Sequence, residues 1–82
     1  MNKTMDMTII TPEGIIFEGQ VESVKLPGVS GAFMVLPRHD PIISALTSGK
    51  LVYVHEGKSV EQMIRGGFVE VKNNVVSVCV EI

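Results

Sequence analysis

The sequence predicts an all-β fold, a flattened antiparallel β-sandwich or barrel made of many short strands. Turn residues, mainly glycine, proline and asparagine, recur every several residues and leave no clear window for an amphipathic helix. The segments between them alternate apolar with polar side chains, and valine and isoleucine, which favour strands, dominate the apolar set. Two packed layers would bury such stripes, so we expect a single domain over residues 1–82.

The first strand is expected close to the N-terminus, where Met5, Met7 and Ile9 share one side. The turns that follow in the first half are marked by Pro12-Glu13-Gly14, Pro27-Gly28, Gly31, Pro37, Pro41 and Gly49. Residues 42–47 fit either a helical turn or a strand, and we favour the strand.

The second half predicts further strands joined by short turns. Alternation is carried by Val52 and Val54 against Tyr53 and His55, and by Val60, Gln62 and Ile64 against Glu61, Met63 and Arg65. Residues 55–58 predict a hairpin loop, and Asn73-Asn74 a tight hairpin turn, because asparagine tolerates a positive φ. Gly66-Gly67 interrupts the strand pattern and predicts a bulge or a change of sheet.

The last strand has one uniformly apolar side, which is expected to face the core: Val76, Val78, Val80 and Ile82. Its other side is mixed and includes Val75, Ser77 and Cys79. A chain of this size has a thin core and gains stability when a partner binds its folded state. Two surfaces are therefore candidates for binding a partner: the mixed side of the last strand and the mixed side of the strand that contains Met63. The sequence favours neither of them.

Composition excludes several classes of protein. The net charge of −2 and the lack of a Lys/Arg stripe argue against nucleic acid as a partner. A single cysteine cannot form an internal disulfide, which fits a reducing compartment. The N-terminus lacks the apolar run of a signal peptide, and no run approaches the ~20 residues of a membrane helix. Any membrane association is expected to be indirect, through a partner.

Groups for catalysis are sparse. His39-Asp40 could begin a metal site or an acid/base pair, but nothing in the sequence brings His55 near it. Ser30 has no nucleophile-elbow pattern around it, and Cys79 no activating neighbour. The glycines at 28 and 31 lack the lysine and following helix of a phosphate loop. We therefore predict a non-catalytic protein without cofactor or metal, whose glycines serve a sharp turn or a close backbone approach.

Nearly the whole chain resembles the N-terminal domain of the epsilon subunit of F-type ATP synthases. The resemblance rests on the order and spacing of Gly28, Gly31, the apolar residues 33–36, Pro37, His39, Pro41 and the stretch from Leu46 to Gly49. It extends to "TPEGIIFEGQVESVKLPG" before this region and "RGGFVEVKNNVVSVCVE" near the end.

The resemblance implies a flattened β-sandwich of about ten strands. It also implies a central-stalk subunit that rotates with the gamma subunit and the c-ring, and so couples ion translocation to ATP synthesis. Such a subunit binds no nucleotide and catalyses nothing itself. It would lie at the cytoplasmic face of the inner or plasma membrane, held there only through the complex.

Carried over by position, the resemblance implies that Val29, Ser30, Gly31, Ala32 and Arg38 contact the c-ring. It likewise implies contacts with gamma at the following positions: His39, Ser44 and, more weakly, Thr11.

Three features depart from the family pattern. The loop expected to face the c-ring, residues 29–32, is uncharged here, whereas well-known members of the family carry acidic residues in it. Met34 and Arg38 replace small residues, often glycine, and Arg38 could supply a polar contact to an acidic group of the ring or of gamma. The chain stops at Ile82, where the family continues into a regulatory two-helix hairpin, so inhibition of ATP hydrolysis by that hairpin is not expected. The alternatives are a stand-alone β-sandwich that binds a peptide or small ligand through residues 28–41, and a small hydrolase or metal enzyme centred on His39 and Asp40.

Overall fold

The computed structural model describes residues 3–82, so Met1 and Asn2 of the predicted domain lie outside the described residues. These residues form nine strands: β1 (Met5–Thr11), β2 (Gly14–Val21), β3 (Ser23–Gly28), β4 (Gly31–Val35), β5 (Ile42–Leu46), β6 (Gly49–His55), β7 (Lys58–Ile64), β8 (Gly66–Lys72) and β9 (Val75–Glu81). Within this part of the chain no helix has the length and apolarity needed to cross a membrane.

The strands make one curled sheet in the order β2-β1-β9-β8-β5-β3-β6-β7, with β4 added to β3. Curling brings β2 against β6, where the ring centroids of Phe17 and Tyr53 lie 4.5 Å apart. The Nδ1–H of His55 donates to the carbonyl oxygen of Gln20 at 2.6 Å across the same junction. The sheet thus wraps around its own core as a half-barrel.

The core takes at least one side chain from every strand: Met5, Met7, Ile9, Val21, Val24, Leu26, Val35, Leu46, Leu51, Tyr53, Ile64, Val69, Val71, Val76, Val78 and Val80. Each strand turns alternate residues inward, as the period of two requires. Burial also raises the pKa of the Tyr53 hydroxyl above its ordinary value of 10.0, because the phenolate loses hydration there.

The predicted all-β fold class is confirmed, with two differences in detail. The described residues contain nine strands rather than about ten, and the segment of residues 36–41 forms none, since Pro37 and Pro41 have no N–H for a ladder. The pairing is not wholly antiparallel, because β1 runs parallel to β9. These two strands come from opposite ends of the chain, so no tight turn fixes their relative direction.

Most predicted turns are confirmed. Glu56-Gly57 and Asn73-Asn74 are two-residue hairpin turns with positive φ at both positions. The bulge or change of sheet predicted at Gly66-Gly67 is wrong: both glycines pair in continuous register with β9, in the same sheet, where the chain passes from β7, paired with β6, to β8, paired with β5 and β9. Residues 42–46 form the predicted strand β5.

Two predicted inward faces need correction. In β6 the buried residues are Leu51 and Tyr53, not Val52 and Val54. The alternation had suggested that the valines of this strand face inward. Instead the Tyr53 ring faces inward and packs on Phe17. In β9 the three valines face the core, but Ile82 lies beyond the end of the strand and is exposed.

Candidate interaction surfaces

The residues predicted to contact the c-ring at positions 29–32 come together at the β3–β4 turn. Val29 and Ser30 form its two-residue tip, and Val29 is 62% exposed. Gly31 has a φ of 127°, a conformation that favours glycine. At Gly28 a Cβ would lie 2.7 Å from the carbonyl oxygen of Gly31, so only glycine fits there. The predicted sharp turn and close backbone approach are both present.

Hydrogen bonds attach this turn to the neighbouring strand. The amide of Val29 donates to the carbonyl of Ala45 at 3.1 Å. The amide of Thr47 donates to the carbonyl of Pro27 at 2.8 Å. The tip is therefore a fixed, uncharged projection that presents a valine side chain, a hydroxyl and backbone groups.

Arg38 and His39 lie in the turn between β4 and β5. The amide of His39 donates to the carbonyl of Leu36 at 3.1 Å, which closes the turn. The Nδ1–H of His39 donates to the backbone carbonyl of Asp40 at 2.7 Å. The histidine is thus hydrogen-bonded to the neighbouring backbone rather than to the Asp40 carboxylate.

The structure does not bring Arg38 to the β3–β4 turn. Gly31 pairs with Gly28 at one end of β4, and Val35 pairs with Val24 at the other. The ends of a five-residue strand are roughly 13 Å apart. Arg38 follows the far end, so it lies beside His39 and away from Val29.

Thr11 and Ser44, the other predicted gamma contacts, differ in exposure. Thr11 is only 5% exposed, because its hydroxyl is used within the β1–β2 turn. That hydroxyl donates to the carbonyl of Gly14 at 3.1 Å and accepts from the amide of Glu13 at 3.2 Å. Ser44 is half-buried in β5, where it pairs with Val69.

A row of outward-facing apolar residues crosses five adjacent strands near these two positions. In strand order the apolar row consists of Ile15, Ile10, Cys79, Phe68 and Ala45, each opposite the next in the pairing register. Phe68 is 51% exposed. Of these two predicted gamma contacts, Thr11 lines the groove along this row. Ser44 points to the other side of the sheet, because it alternates with the exposed Ile43 and Ala45 and pairs with the buried Val69.

A groove of about 490 Å³ runs along part of the apolar row, with Ile10, Thr11, Phe68 and Cys79 among its lining residues. Gly67 also lines the groove and admits no side chain, because a Cβ there would overlap the carbonyl oxygen of Cys79. The neighbouring outward row is mostly polar: Glu18, Thr8, Ser77, Glu70 and Ile43. An apolar strip bordered by acidic residues is therefore the main outward feature of this half of the sheet.

The other half of the sheet carries charge across its outer face. Its corresponding row runs through Met34, Lys25, Val52 and Glu61. Beside it, the Lys50 ammonium lies 3.4 Å from a Glu61 carboxylate oxygen, and both side chains are at least half exposed.

No group of three or more metal-ligating side chains occurs within residues 3–82. Of the functional features, sequence reasoning missed the apolar row and the side chain of Asn74, which donates to Thr4 and accepts from Arg38. The outward isoleucines and Phe68 were visible in the sequence, but only the pairing register aligns them. Nothing in the local sequence links Asn74 to residue 38.

Comparison with known proteins shows which family the chain resembles. Residues 4–82 match the model of the ATP synthase delta/epsilon chain β-sandwich domain. The ATP synthase epsilon chain of Nitratidesulfovibrio vulgaris strain DP4 is 42% identical over 81 residues, which cover 99% of this chain and 60% of that relative. The epsilon chain of Rickettsia typhi is 40% identical over 84 residues, which cover 99% of this chain and 76% of that relative.

Solved structures share the fold. A chain in the cryo-EM structure of the Euglena gracilis mitochondrial ATP synthase, OSCP/F1/c-ring, matches with a TM-score of 0.91 at 24% identity, covering 98% of this chain and 52% of its own length. A chain of the Tetrahymena thermophila mitochondrial ATP synthase central stalk/c-ring matches with a TM-score of 0.80 at 17% identity, covering 99% and 65%.

This chain thus spans little more than half to three quarters of these relatives, and the shared part is the β-sandwich. With a family model matched over almost every residue and relatives at about 40% identity, the chain belongs to the ATP synthase delta/epsilon family.

Proposed function

We propose that this chain is a non-catalytic rotor component of the F-type ATP synthase. In this role it binds the gamma subunit and the c-ring in the central stalk and helps couple ion translocation to ATP synthesis. Its relatives are named epsilon chains of ATP synthase, and its structural neighbours come from F1/c-ring and central stalk/c-ring assemblies. Membrane association is then peripheral, at the cytoplasmic face of the inner or plasma membrane, and is made through the complex.

The apolar row is the observation that carries the proposal for gamma. Exposed apolar side chains from adjacent strands form a continuous strip, and such strips mark sites of protein association. Thr11 lines the groove along the row, which favours this half of the sheet as the gamma surface, whereas Ser44 lies on the inward side of β5. Because Thr11 is nearly buried, its part in the contact is to shape the β1–β2 turn.

The β3–β4 turn is the proposed c-ring contact. Residues 29–32 project from the sheet, and two backbone hydrogen bonds from the flanking strands hold them in place. The turn carries no charge, so its contact with the ring depends on shape, apolar packing and backbone hydrogen bonds. Such a contact is expected to change little with ionic strength.

Titration of purified gamma subunit into the folded chain tests the proposal. We expect a one-to-one complex at low and at moderate salt, since apolar burial is insensitive to screening. The isolated chain is expected to hydrolyse no ATP. A folded chain that fails to bind gamma at both salt concentrations would overturn the proposal.

The same titration separates the alternatives. A peptide or small ligand that binds through residues 28–41 and is not displaced by gamma would favour a stand-alone binding module. Turnover abolished by His39→Ala would favour an enzyme, whereas the rotor proposal predicts at most weaker assembly for that variant.

A further inference from the structure

Acidic side chains lie on both sides of the apolar row. Glu70 follows Phe68 by two positions on the same face of β8, and Glu18 lies in the same polar row on β2. Glu81 follows Cys79 by two positions on β9 and lines the groove. Because β8 and β9 are antiparallel, Glu70 and Glu81 lie on opposite sides of the row, each roughly 7 Å from it along its strand. We call Glu18, Glu70 and Glu81 the acidic rim.

Among the described residues, no cation forms an ion pair with the acidic rim. Neither of the two ion pairs found within residues 3–82 includes a rim carboxylate. Lys72 lies two positions beyond Glu70 on the same face of β8, and the amide of Arg65 donates to the carbonyl of Glu81 at 2.7 Å. Both of these cationic groups nevertheless stay more than 4.0 Å from the rim carboxylates. The rim charges therefore remain available to an incoming partner.

The outer faces of the two halves of the sheet differ in net charge. On β2, β1, β9, β8 and β5 the outward charged residues are Asp6, Glu18, Glu70, Glu81 and Lys72. On β4, β3, β6 and β7 they are Lys25, Lys50 and Glu61. Four acids and one base give the first face a charge of −3, whereas two bases and one acid give the second face +1. The negative potential therefore lies on the same face as the apolar row.

This charge distribution limits which partner can cover the apolar row. A surface that carries phosphates would be repelled by the rim. A second copy of the chain bound through the same face would place one acidic rim against the other, because a two-fold interface uses the same patch on both copies. Like charges brought together across an interface are unfavourable. A protein segment with apolar side chains at its centre and lysine or arginine on its flanks matches both the row and the rim.

We propose that the apolar row binds a segment of the gamma subunit whose apolar side chains are flanked by lysine or arginine, and that the acidic rim attracts this segment. The inference rests on the proposed function and specifies the chemistry of the partner at that site. The two parts of the site act at different stages of binding. Exposed rim charges act while the partners approach, whereas apolar side chains act once they are in contact. The rim therefore sets the association rate, and the row sets the dissociation rate.

Stopped-flow mixing with purified gamma subunit tests the role of the rim. The double variant Glu18→Gln/Glu70→Gln removes two rim charges and nearly preserves side-chain size. Its association rate at low ionic strength is expected to be about three- to tenfold lower than that of the wild type, with the dissociation rate changed less than about twofold. Glu18→Lys/Glu70→Lys should lower the association rate further. Added salt should slow association of the wild type and reduce its difference from the Gln variant.

Two control variants separate the rim from the row and from the second face. Glu61→Gln also neutralises an exposed glutamate on a strand, but on the second face, so its association rate should change less than about twofold. Phe68→Ser should raise the dissociation rate about tenfold and leave the association rate nearly unchanged. Circular dichroism checks that each variant is folded, and the single variants Glu18→Gln and Glu70→Gln replace the double variant if it is not.

Each outcome decides one point. Gamma binding with association rates that are the same in the wild type and the rim variants would overturn the inference and leave the proposed function standing. Faster association of the Gln or Lys variants would mean that gamma presents acidic groups, which also overturns it. Sedimentation that finds the wild-type chain dimeric at low salt would make a second copy the occupant of the row. If the wild-type chain binds no gamma, the proposed function fails and this inference fails with it.

Discussion

The two halves of the curled sheet pack against the same core, but their outer faces differ in chemistry. The outer face of β2, β1, β9, β8 and β5 presents the apolar row. The outer face of β4, β3, β6 and β7 presents Lys25, Lys50 and Glu61, with valine and methionine between them. Burial in the core requires apolar side chains at the inward positions of both halves. The outward positions are free to specialise, and only the first face has the continuous apolar area that association needs.

Glycine substitutions should separate the two halves of the sheet most strongly. In Gly67→Ala, in β8 of the first half, the added Cβ would overlap the carbonyl oxygen of Cys79 and lie 2.8 Å from the Cα of Val80. Because backbone must move, we expect a loss of about 3 kcal/mol or more in the free energy of unfolding. The matched Gly49→Ala, in β6 of the second half, meets the Pro27 side chain at 3.0 Å and should cost about 1 kcal/mol or less. Urea denaturation measures both, and equal losses would contradict the distinction.

Truncating one exposed apolar residue on each face tests which face binds gamma. Phe68→Ser removes the largest side chain of the apolar row and should weaken gamma binding about tenfold or more. Met63→Ser is the control, since Met63 is 62% exposed on the second face, and it should change affinity less than about twofold. Calorimetric titration compares them once circular dichroism shows that both variants are folded. A larger effect at Met63 would reverse the assignment.

The smallest effect is expected from the ion pair on the second face. Lys50→Ala removes an interaction between two exposed side chains, which contributes about 0–1 kcal/mol to stability. Added salt should reduce the difference further, because exposed charges are screened. Thermal unfolding at low and high salt measures it. A loss above about 2 kcal/mol in the free energy of unfolding would contradict the expectation that this exposed ion pair contributes little to stability.

Local chemistry explains how far the sequence predicts the fold. The asparagine pair at 73–74 and Gly57 specify positive φ, so their hairpins could be predicted without knowing what the strands contact. The alternation of Met5, Met7 and Ile9 likewise marks an inward face. Strand direction is different, because a period of two looks the same in parallel and antiparallel pairs. The parallel pairing of β1 with β9 therefore could not be predicted.

The candidate surfaces also differ in how far the sequence alone predicts them. Val29 to Ala32 could be assigned to one turn, because their positions depend on chain neighbours alone. The apolar row needs the register of four strand pairs, and the hydrogen bond from Arg38 to Asn74 spans 36 positions. The family resemblance grouped Arg38 with Val29 to Ala32, whereas a strand of five residues separates Arg38 from that turn.

The place of β9 in the sheet has a consequence for synthesis. The last strand of the chain lies between the first strand and β8, so it joins residues that the ribosome makes early to residues that it makes late. Before residues 75–81 have left the ribosome, β1 has no partner on the side away from β2, and its inward Met5 and Met7 stay uncovered there. Folding must therefore await the end of this segment, and a nascent chain paused just before it would expose apolar surface to chaperones.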